Sequence, residues 1–170
     1  MRPGRLVVLA GTLVASGALY LQHLAVDGTA FRALSGGSVP TIWQELGRWG
    51  RPAAVLLAAA LVALSFRPGS GPIDRLGAAG AVLVAAGAVA GGVLGWQAAG
   101  DDAAVVAVAL GQAGVGNRGA SAGPGFWLLL SGTGGAAIGA IWDLLSSRQG
   151  GGRAHPGGSP SVGEEDAAAV

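Results

Sequence analysis

The chain alternates between long apolar stretches and shorter polar segments. Four stretches run over residues 6–26, 52–66, 76–99 and 126–145, and their only ionised side chain is Asp143, near the end of the last one. A helix needs about 20 mostly apolar residues to cross the hydrocarbon layer of a membrane, and three stretches reach that length. The second is shorter, but Arg51 and Arg67 at its ends can extend to the polar interface. The pattern predicts an all-α membrane protein, a bundle of four transmembrane helices.

Two alternatives compete with this prediction. A water-soluble helical bundle would show a polar face recurring every 3.6 residues, and residues 53–66, AAVLLAAALVALSF, show none. The first stretch also resembles a signal peptide, because two arginines precede its apolar core and Ser16 and Ala18 could form a cleavage box. Its apolar run continues through Leu21, which favours a retained span.

The arginines predict the orientation, since cytoplasmic loops of membrane proteins carry an excess of positive charge. Six would lie on one side: Arg2, Arg5, Arg67, Arg75, Arg148 and Arg153. Four lie in the two longer loops of the other side: Arg32, Arg48, Arg51 and Arg118. We therefore expect a multi-pass protein of the bacterial inner membrane with both termini in the cytoplasm.

Tryptophans mark the expected membrane boundaries, where indole rings prefer to lie. With the N-terminus inside, Trp49, Trp96 and Trp127 fall at the outer boundary and Trp142 at the inner one. Trp43 joins them as an interfacial anchor on a short segment of the first outer loop.

The two outer loops predict a small cap. Thr41 and Gln44 have the spacing of a capping box, which predicts a short helix on the outer membrane surface; an early start of the second span is the alternative. In the other loop, the valine-rich run Ala103–Leu110 predicts a strand that pairs with the first loop. Residues 1–148 thus form the membrane domain, and residues 149–170, rich in Gly, Pro and Ser, are expected to be a disordered tail.

Composition narrows the class of protein. Charged residues make up 11% of the chain and hydrophobic residues 51%, against about 25% charged in ordinary soluble domains. All basic residues are arginine, and Ala, Gly, Val and Pro are frequent, a bias typical of GC-rich bacteria such as actinobacteria. There is no cysteine and the net charge is only +1, which argues against thiolate chemistry and against nucleic-acid binding.

No pattern of residues points to catalysis. An ionisable residue at bilayer depth would indicate function, but His23 and Asp143 lie near span ends. Small multidrug exporters carry an acidic residue inside their first span, and this chain has none there. The outer carboxylates, such as Asp101 and Asp102, lack metal-ligand spacing. We predict no enzyme, no metal and no cofactor.

Glycines four residues apart are the remaining signal. Gly87, Gly91 and Gly95 in the third span predict close packing against the fourth span, because small residues let helix backbones approach in lipid. Matching their expected depth places Gly95 near Leu130 and Gly91 near Gly134. The fourth span would contribute a thin face through Gly132, Gly135 and Gly139.

The overall layout resembles the small four-span membrane proteins of actinobacteria, many of them with a claudin-like topology. The resemblance is carried by the four spans, the tryptophan-bearing first outer loop and the segment GPGFWLLLSG at residues 123–132; it assigns no functional residues. We expect a non-enzymatic membrane protein, an accessory or scaffold subunit of a cell-envelope complex. Its partners would be the lipid bilayer and either another membrane protein or further copies of itself. The alternative is a component of a transporter for a lipid or other apolar solute.

Overall fold

Most of the chain is helical. A computed structural model describes residues 2–26, 31–32, 35–67, 72–114 and 120–149. The described helices are α1 (Pro3–Ala18), α2 (Ile42–Glu45), α3 (Gly50–Ser65), α4 (Pro72–Gln112) and α5 (Pro124–Gln149). Two short strands, β1 (Leu24–Ala25) and β2 (Ser121–Ala122), pair antiparallel. The predicted tail lies outside the described residues, except for Gln149.

The four longer helices pack in a closed ring, in which α1 contacts α5, α5 contacts α4, α4 contacts α3, and α3 contacts α1. A buried cluster in the middle of this ring includes one residue from each helix: Val8, Leu61, Ala85 and Ala136. We call the end where α1 begins and α5 ends the charged end. The opposite end, with β1, β2 and α2, is the strand end.

Two described helices are long and apolar enough to cross a membrane. They are Pro72–Gln112 and Pro124–Arg148. Helices α1 and α3 are also apolar, but each has 16 residues, which is about 24 Å at 1.5 Å per residue. By length and composition, therefore, two of the described helices support a membrane location, and the prediction of four spans is not supported.

The first helix ends earlier than predicted. It stops at Ala18 rather than near residue 26, and the chain continues through a turn at Leu19 and Tyr20 to β1. The backbone N–H groups of Trp43 and Ile42 donate to the carbonyls of Leu19 and Leu21, at 2.7 and 2.9 Å. These bonds with the first loop replace the helical hydrogen bonds that the apolar sequence alone would favour.

The strand predicted over Ala103–Leu110 is wrong. These residues continue α4 as a helix, and β1 pairs instead with β2, with Leu24 opposite Ala122 and Ala25 opposite Ser121. Ala103 packs with Leu24 and Val39 in a buried cluster beneath this pairing. Val105 and Val108 are exposed on this helix, while Ala103 and Leu110 are buried. The strand preference of valine depends on context, and it does not decide the structure here.

The short helix in the first outer loop is present as α2. The Thr41 hydroxyl accepts a hydrogen bond from the Gln44 N–H at 3.3 Å, and the Gln44 side chain accepts one from the Thr41 N–H at 2.9 Å. This reciprocal capping box fixes the start of α2. Leu46 leaves the helical conformation, so α2 is separate from α3 and is not an early start of it.

The closest helix packing lies between α1 and α5. A Cβ added at Gly11 would lie 2.5 Å from the carbonyl oxygen of Gly132, and one at Gly139 would lie 2.7 Å from that of Gly4. Such distances leave no room for any side chain, so the two backbones are in direct contact. Gly4 and Gly11 are seven residues apart, as are Gly132 and Gly139, which places each pair on one face of its helix.

The predicted glycine contact between the third and fourth spans requires correction. A Cβ added at Gly87, Gly91 or Gly135 would meet nothing within 4 Å. Gly95 does contact α5, but at the ring of Phe126, 3.2 Å from the added Cβ. The α4–α5 pair is therefore shifted by about one turn from the predicted register, and Gly132 and Gly139 contact the backbone of α1 instead.

Candidate functional site

A buried ionic cluster closes the charged end. It consists of three arginines and two aspartates: Arg2, Arg5, Arg67, Asp74 and Asp143. The first two belong to the start of α1, Arg67 follows α3, and the aspartates lie in the first turn of α4 and the last turns of α5. Every helix of the ring thus contributes to it directly or through the adjoining segment.

Each aspartate is contacted by several guanidinium groups. Asp74 is 2.7 Å from Arg2 Nη1 and 3.1 Å from Arg67 Nε, and it also pairs with Arg5. Asp143 Oδ2 accepts from Arg67 Nη2 and lies 3.4 Å from Arg5 Nε. The side chains of Asp74 and Asp143 are 3% and 2% exposed. Such burial is tolerated because the charges are paired and three of the four carboxylate oxygens are hydrogen-bonded. The fourth, Asp143 Oδ1, accepts no hydrogen bond from the described residues and lies 3.8 Å from Arg2 Nη1.

The remaining donors of the cluster bind backbone carbonyls. Arg5 Nη1 donates to the carbonyl of Arg67 at 2.7 Å, and Arg67 Nη1 donates to that of Leu64 at 2.6 Å. These bonds satisfy carbonyls at the end of α3, which have no partner within the helix. The cluster therefore fastens the ends of all four helices together.

The sequence pattern points to four members of this cluster but does not predict their association. It assigns Arg2, Arg5 and Arg67 to the orientation of the chain and the boundaries of its spans, places Asp143 near a span end, and gives Asp74 no role. The sequence does contain a signal for their association, an aspartate two residues before the third apolar stretch and another near the end of the fourth. Because arginines lie at the neighbouring helix ends, these aspartates and arginines are expected at the same depth in the membrane.

A second feature is an apolar cavity of about 400 Å³ in the half of the ring nearer the strand end. Its walls come from small and aliphatic residues of all four longer helices, among them Ala15, Leu57, Ala58, Gly91 and Leu129. The volume is within the range of roughly 300–1,000 Å³ that is usual for small-molecule sites. Gly91 therefore lines a cavity rather than a helix contact.

The cavity exists because α3 and α4 separate toward the strand end. Nearer the charged end, Leu61 packs in one cluster with Ala81 and Ala85. Beyond that level the facing residues of the two helices line the cavity instead, including Ala54 and Ala88.

The cavity opens on the α3–α4 side. Among its lining residues, Thr12 and Phe126, on α1 and α5, are buried, whereas Ala53 and Ala98, on α3 and α4, are exposed. Leu61, Gly92 and Ala99 also line the cavity but are buried. We interpret the walls formed by α1 and α5 as the floor of the cavity, and the gap between the exposed residues of α3 and α4 as its mouth. A long apolar molecule could enter sideways through this gap.

The hydroxyl groups on the floor do not make it polar. Thr12 Oγ1 donates to the Val8 carbonyl at 2.7 Å and Thr133 Oγ1 to the Leu129 carbonyl at 2.9 Å, each within its own helix. The charged or titratable lining residues are His23, Glu45 and Asp102, all near the strand end. The cavity is therefore apolar along its walls and polar at one end.

The predicted tryptophan anchors lie on the surface of the ring. Trp49, Trp127 and Trp142 are exposed, and Trp96 lies with its ring centre 5.9 Å from that of Trp127. Trp43 stacks on Tyr20, with ring centres 6.0 Å apart. Trp142 is near the charged end and the other four are near the strand end, so the two groups are separated along the ring.

Nothing in the described ranges suggests a metal centre, since no group of three or more His, Cys, Asp or Glu is placed to hold an ion there. Comparison with models of protein families, with curated proteins and with solved structures found no match to this chain. The resemblance to four-span actinobacterial proteins therefore stays a prediction.

Proposed function

We propose that this chain is a four-span protein of the bacterial inner membrane that acts by binding rather than catalysis, and that it holds the apolar chain of a lipid or similar solute in its cavity. It would serve as the solute-binding component of a transporter. The observation that carries the proposal is the cavity with apolar walls and a sideways mouth between α3 and α4.

The distribution of side chains supports the membrane part of the proposal. Large apolar side chains are exposed on all four longer helices, including Leu13, Leu56, Leu83 and Ile138, whereas the buried polar residues include Arg5, Asp74 and Asp143. A soluble protein buries the former and exposes the latter, and apolar patches of this extent indicate contact with lipid or another protein. In a bilayer, the α3–α4 gap would face the acyl chains.

Helix lengths are compatible with four spans. Helices α1 and α3 are shorter than a hydrocarbon core of about 30 Å, but local thinning and the arginines at their ends can accommodate the mismatch. At about 62 Å, α4 would extend well beyond the membrane, and its exposed Asp101 and Asp102 lie in that extension. The arginine distribution favours both termini on the cytoplasmic side.

The scaffold hypothesis remains an alternative. An accessory subunit needs an apolar surface for its partner but no internal cavity, so the cavity favours the solute-binding hypothesis. Neither hypothesis requires catalysis or a cofactor.

The test is to fill the cavity without disturbing the packing. A leucine at Gly91 meets nothing within 4 Å at its Cβ and has room to extend into the cavity; Gly87, one turn away, is equally open but does not line it. We would measure binding of a neutral, environment-sensitive fluorescent probe with one alkyl chain. Energy transfer from the tryptophans near the strand end would separate bound probe from probe dissolved in detergent.

We expect Gly91→Leu to lose most of the binding and Gly87→Leu to retain it, with similar thermal stability in both variants. If the wild-type protein shows no saturable binding, or if the two variants bind equally well, the proposed function is wrong.

A further inference from the structure

We infer that the ligand of the cavity is a cationic amphiphile: an alkyl chain between the helices and an amine or quaternary ammonium group beside Glu45 and Asp102. This inference rests on the proposed function, because it names the chemical class of the molecule held in the same cavity.

The charged residues that line the cavity are all acidic. Glu45, at the end of α2, and Asp102, on α4, are its only acidic lining residues, and no arginine lines the described cavity. Both carboxylates are exposed, and neither takes part in an ion pair within the described ranges. The polar end of the cavity is therefore negative.

The two carboxylates lie at the same end because their helices meet there. Ile42 of α2 packs with Ala99 of α4 and Phe126 of α5 in one buried cluster. Glu45 and Asp102 each follow a member of that cluster by three residues, about one helical turn. Both side chains therefore border the cavity just beyond the contact that closes it.

The nearby arginines are engaged elsewhere. Arg51 donates to the carbonyls of Trp43 and Gln44, both at 3.0 Å, and its guanidinium lies over the Trp43 ring. Arg48 lies over the ring of Trp49. Three further arginines belong to the ionic cluster at the opposite end, and none of the described arginines, Arg32 included, lines the cavity beside the two carboxylates.

The remaining titratable lining residue at that end is a histidine, His23, and not a third acid. The ring Nδ1 of His23 donates to the carbonyl of Pro40 at 3.0 Å, which fixes the ring at the cavity edge. An anionic headgroup would meet two carboxylates, whereas a cationic one would be attracted to both while its chain remains between apolar walls.

The experiment compares three competitors with one chain length and different heads: dodecyltrimethylammonium, dodecanol and dodecanoate. Each displaces the neutral fluorescent probe from the purified full-length protein. We expect the cation to bind at least about fivefold more tightly than the alcohol, the size of one favourable exposed ion pair, and the anion to bind most weakly. High salt should reduce this preference, because it screens exposed charges.

The variants Glu45→Gln and Asp102→Asn should each reduce the preference for the cation, and the double variant should abolish it, while the affinity for dodecanol stays unchanged. Asp101→Asn is the matched control, since Asp101 is adjacent and exposed but does not line this cavity. If the three competitors bind alike, or if the double variant keeps the preference, the inference is wrong and the proposed function survives. If no competitor displaces the probe, the proposed function fails as well.

Discussion

Replacing Gly132 by alanine tests whether the α1–α5 contact holds the ring together. The new Cβ would lie 2.5 Å from the backbone nitrogen of Ala15 and 2.7 Å from the carbonyl oxygen of Gly11. All of these neighbours are backbone atoms, which cannot rotate away as a side-chain end can. The helices would therefore have to move apart, by about 1 Å to restore ordinary contact, and a gap of that size forfeits a quarter to a half of the dispersion energy of each affected atom pair.

Two opposing terms set the magnitude. Overpacking costs about 1–3 kcal/mol, whereas alanine in a helix interior is more favourable than glycine by about 1 kcal/mol. Gly134→Ala provides the control, because a Cβ at Gly134, two residues away in α5, meets nothing within 4 Å. Gly134→Ala gains only the higher helix propensity of alanine. The difference in unfolding free energy between the two variants therefore gives the cost of overpacking.

We would measure thermal unfolding of both variants in the same detergent. Gly134→Ala should unfold at or above the wild-type temperature and Gly132→Ala below the control, by about 2–4 °C for each kcal/mol in a chain of this size. Adding Gly11→Ala to Gly132→Ala should cost less than Gly11→Ala alone, because the helices are already separated. Equal unfolding temperatures for the two single variants would refute the close contact.

Two further predictions concern the ionic cluster and the orientation of the chain in the membrane. Asp143→Asn should lower the free energy of unfolding by about 3–5 kcal/mol, because it leaves Arg5 and Arg67 without one of their two buried carboxylates; a loss no greater than that of the exposed control Asp101→Asn would contradict a stabilising cluster. A reporter that fluoresces only in the cytoplasm, fused after Val170, should be fluorescent, because the arginine bias places both termini inside. A dark but fully expressed fusion, together with an active periplasmic reporter at the same position, would reverse the orientation.

The sequence alone determined the helical character and most helix positions, because these follow from local composition. Uninterrupted apolar stretches predicted α3, α4 and α5 within a few residues at the ends nearest the charged cluster. The capping box of Thr41 and Gln44 placed α2 correctly, since a reciprocal pair of hydrogen bonds depends on only four consecutive residues. The sequence also predicts that apolar side chains are exposed on the helix surfaces, because the same stretches lack a polar face.

The tertiary structure decided which helices touch and where. Four-residue spacing in the third span drew attention to Gly87 and Gly91, yet the backbones meet where small residues recur every seventh position on two helices, at Gly4 and Gly11 against Gly139 and Gly132. Spacing within one helix identifies a thin face but not its partner, because that depends on the surface the other helix offers. A comparison of the four stretches for matching periods, with the first one extended back to Gly4, would have found the seven-residue pairs.

The same reason explains why neither the ionic cluster nor the cavity could be predicted from the sequence. Asp74 and Asp143 are 69 residues apart in the printed chain, and only the antiparallel arrangement of α4 and α5 brings them to one cluster. The cavity has no motif at all, since it results from the separation of α3 and α4 beyond Leu61 and Ala85. Local sequence sets the character of each helix, whereas a site shared by several helices is created by the way they pack.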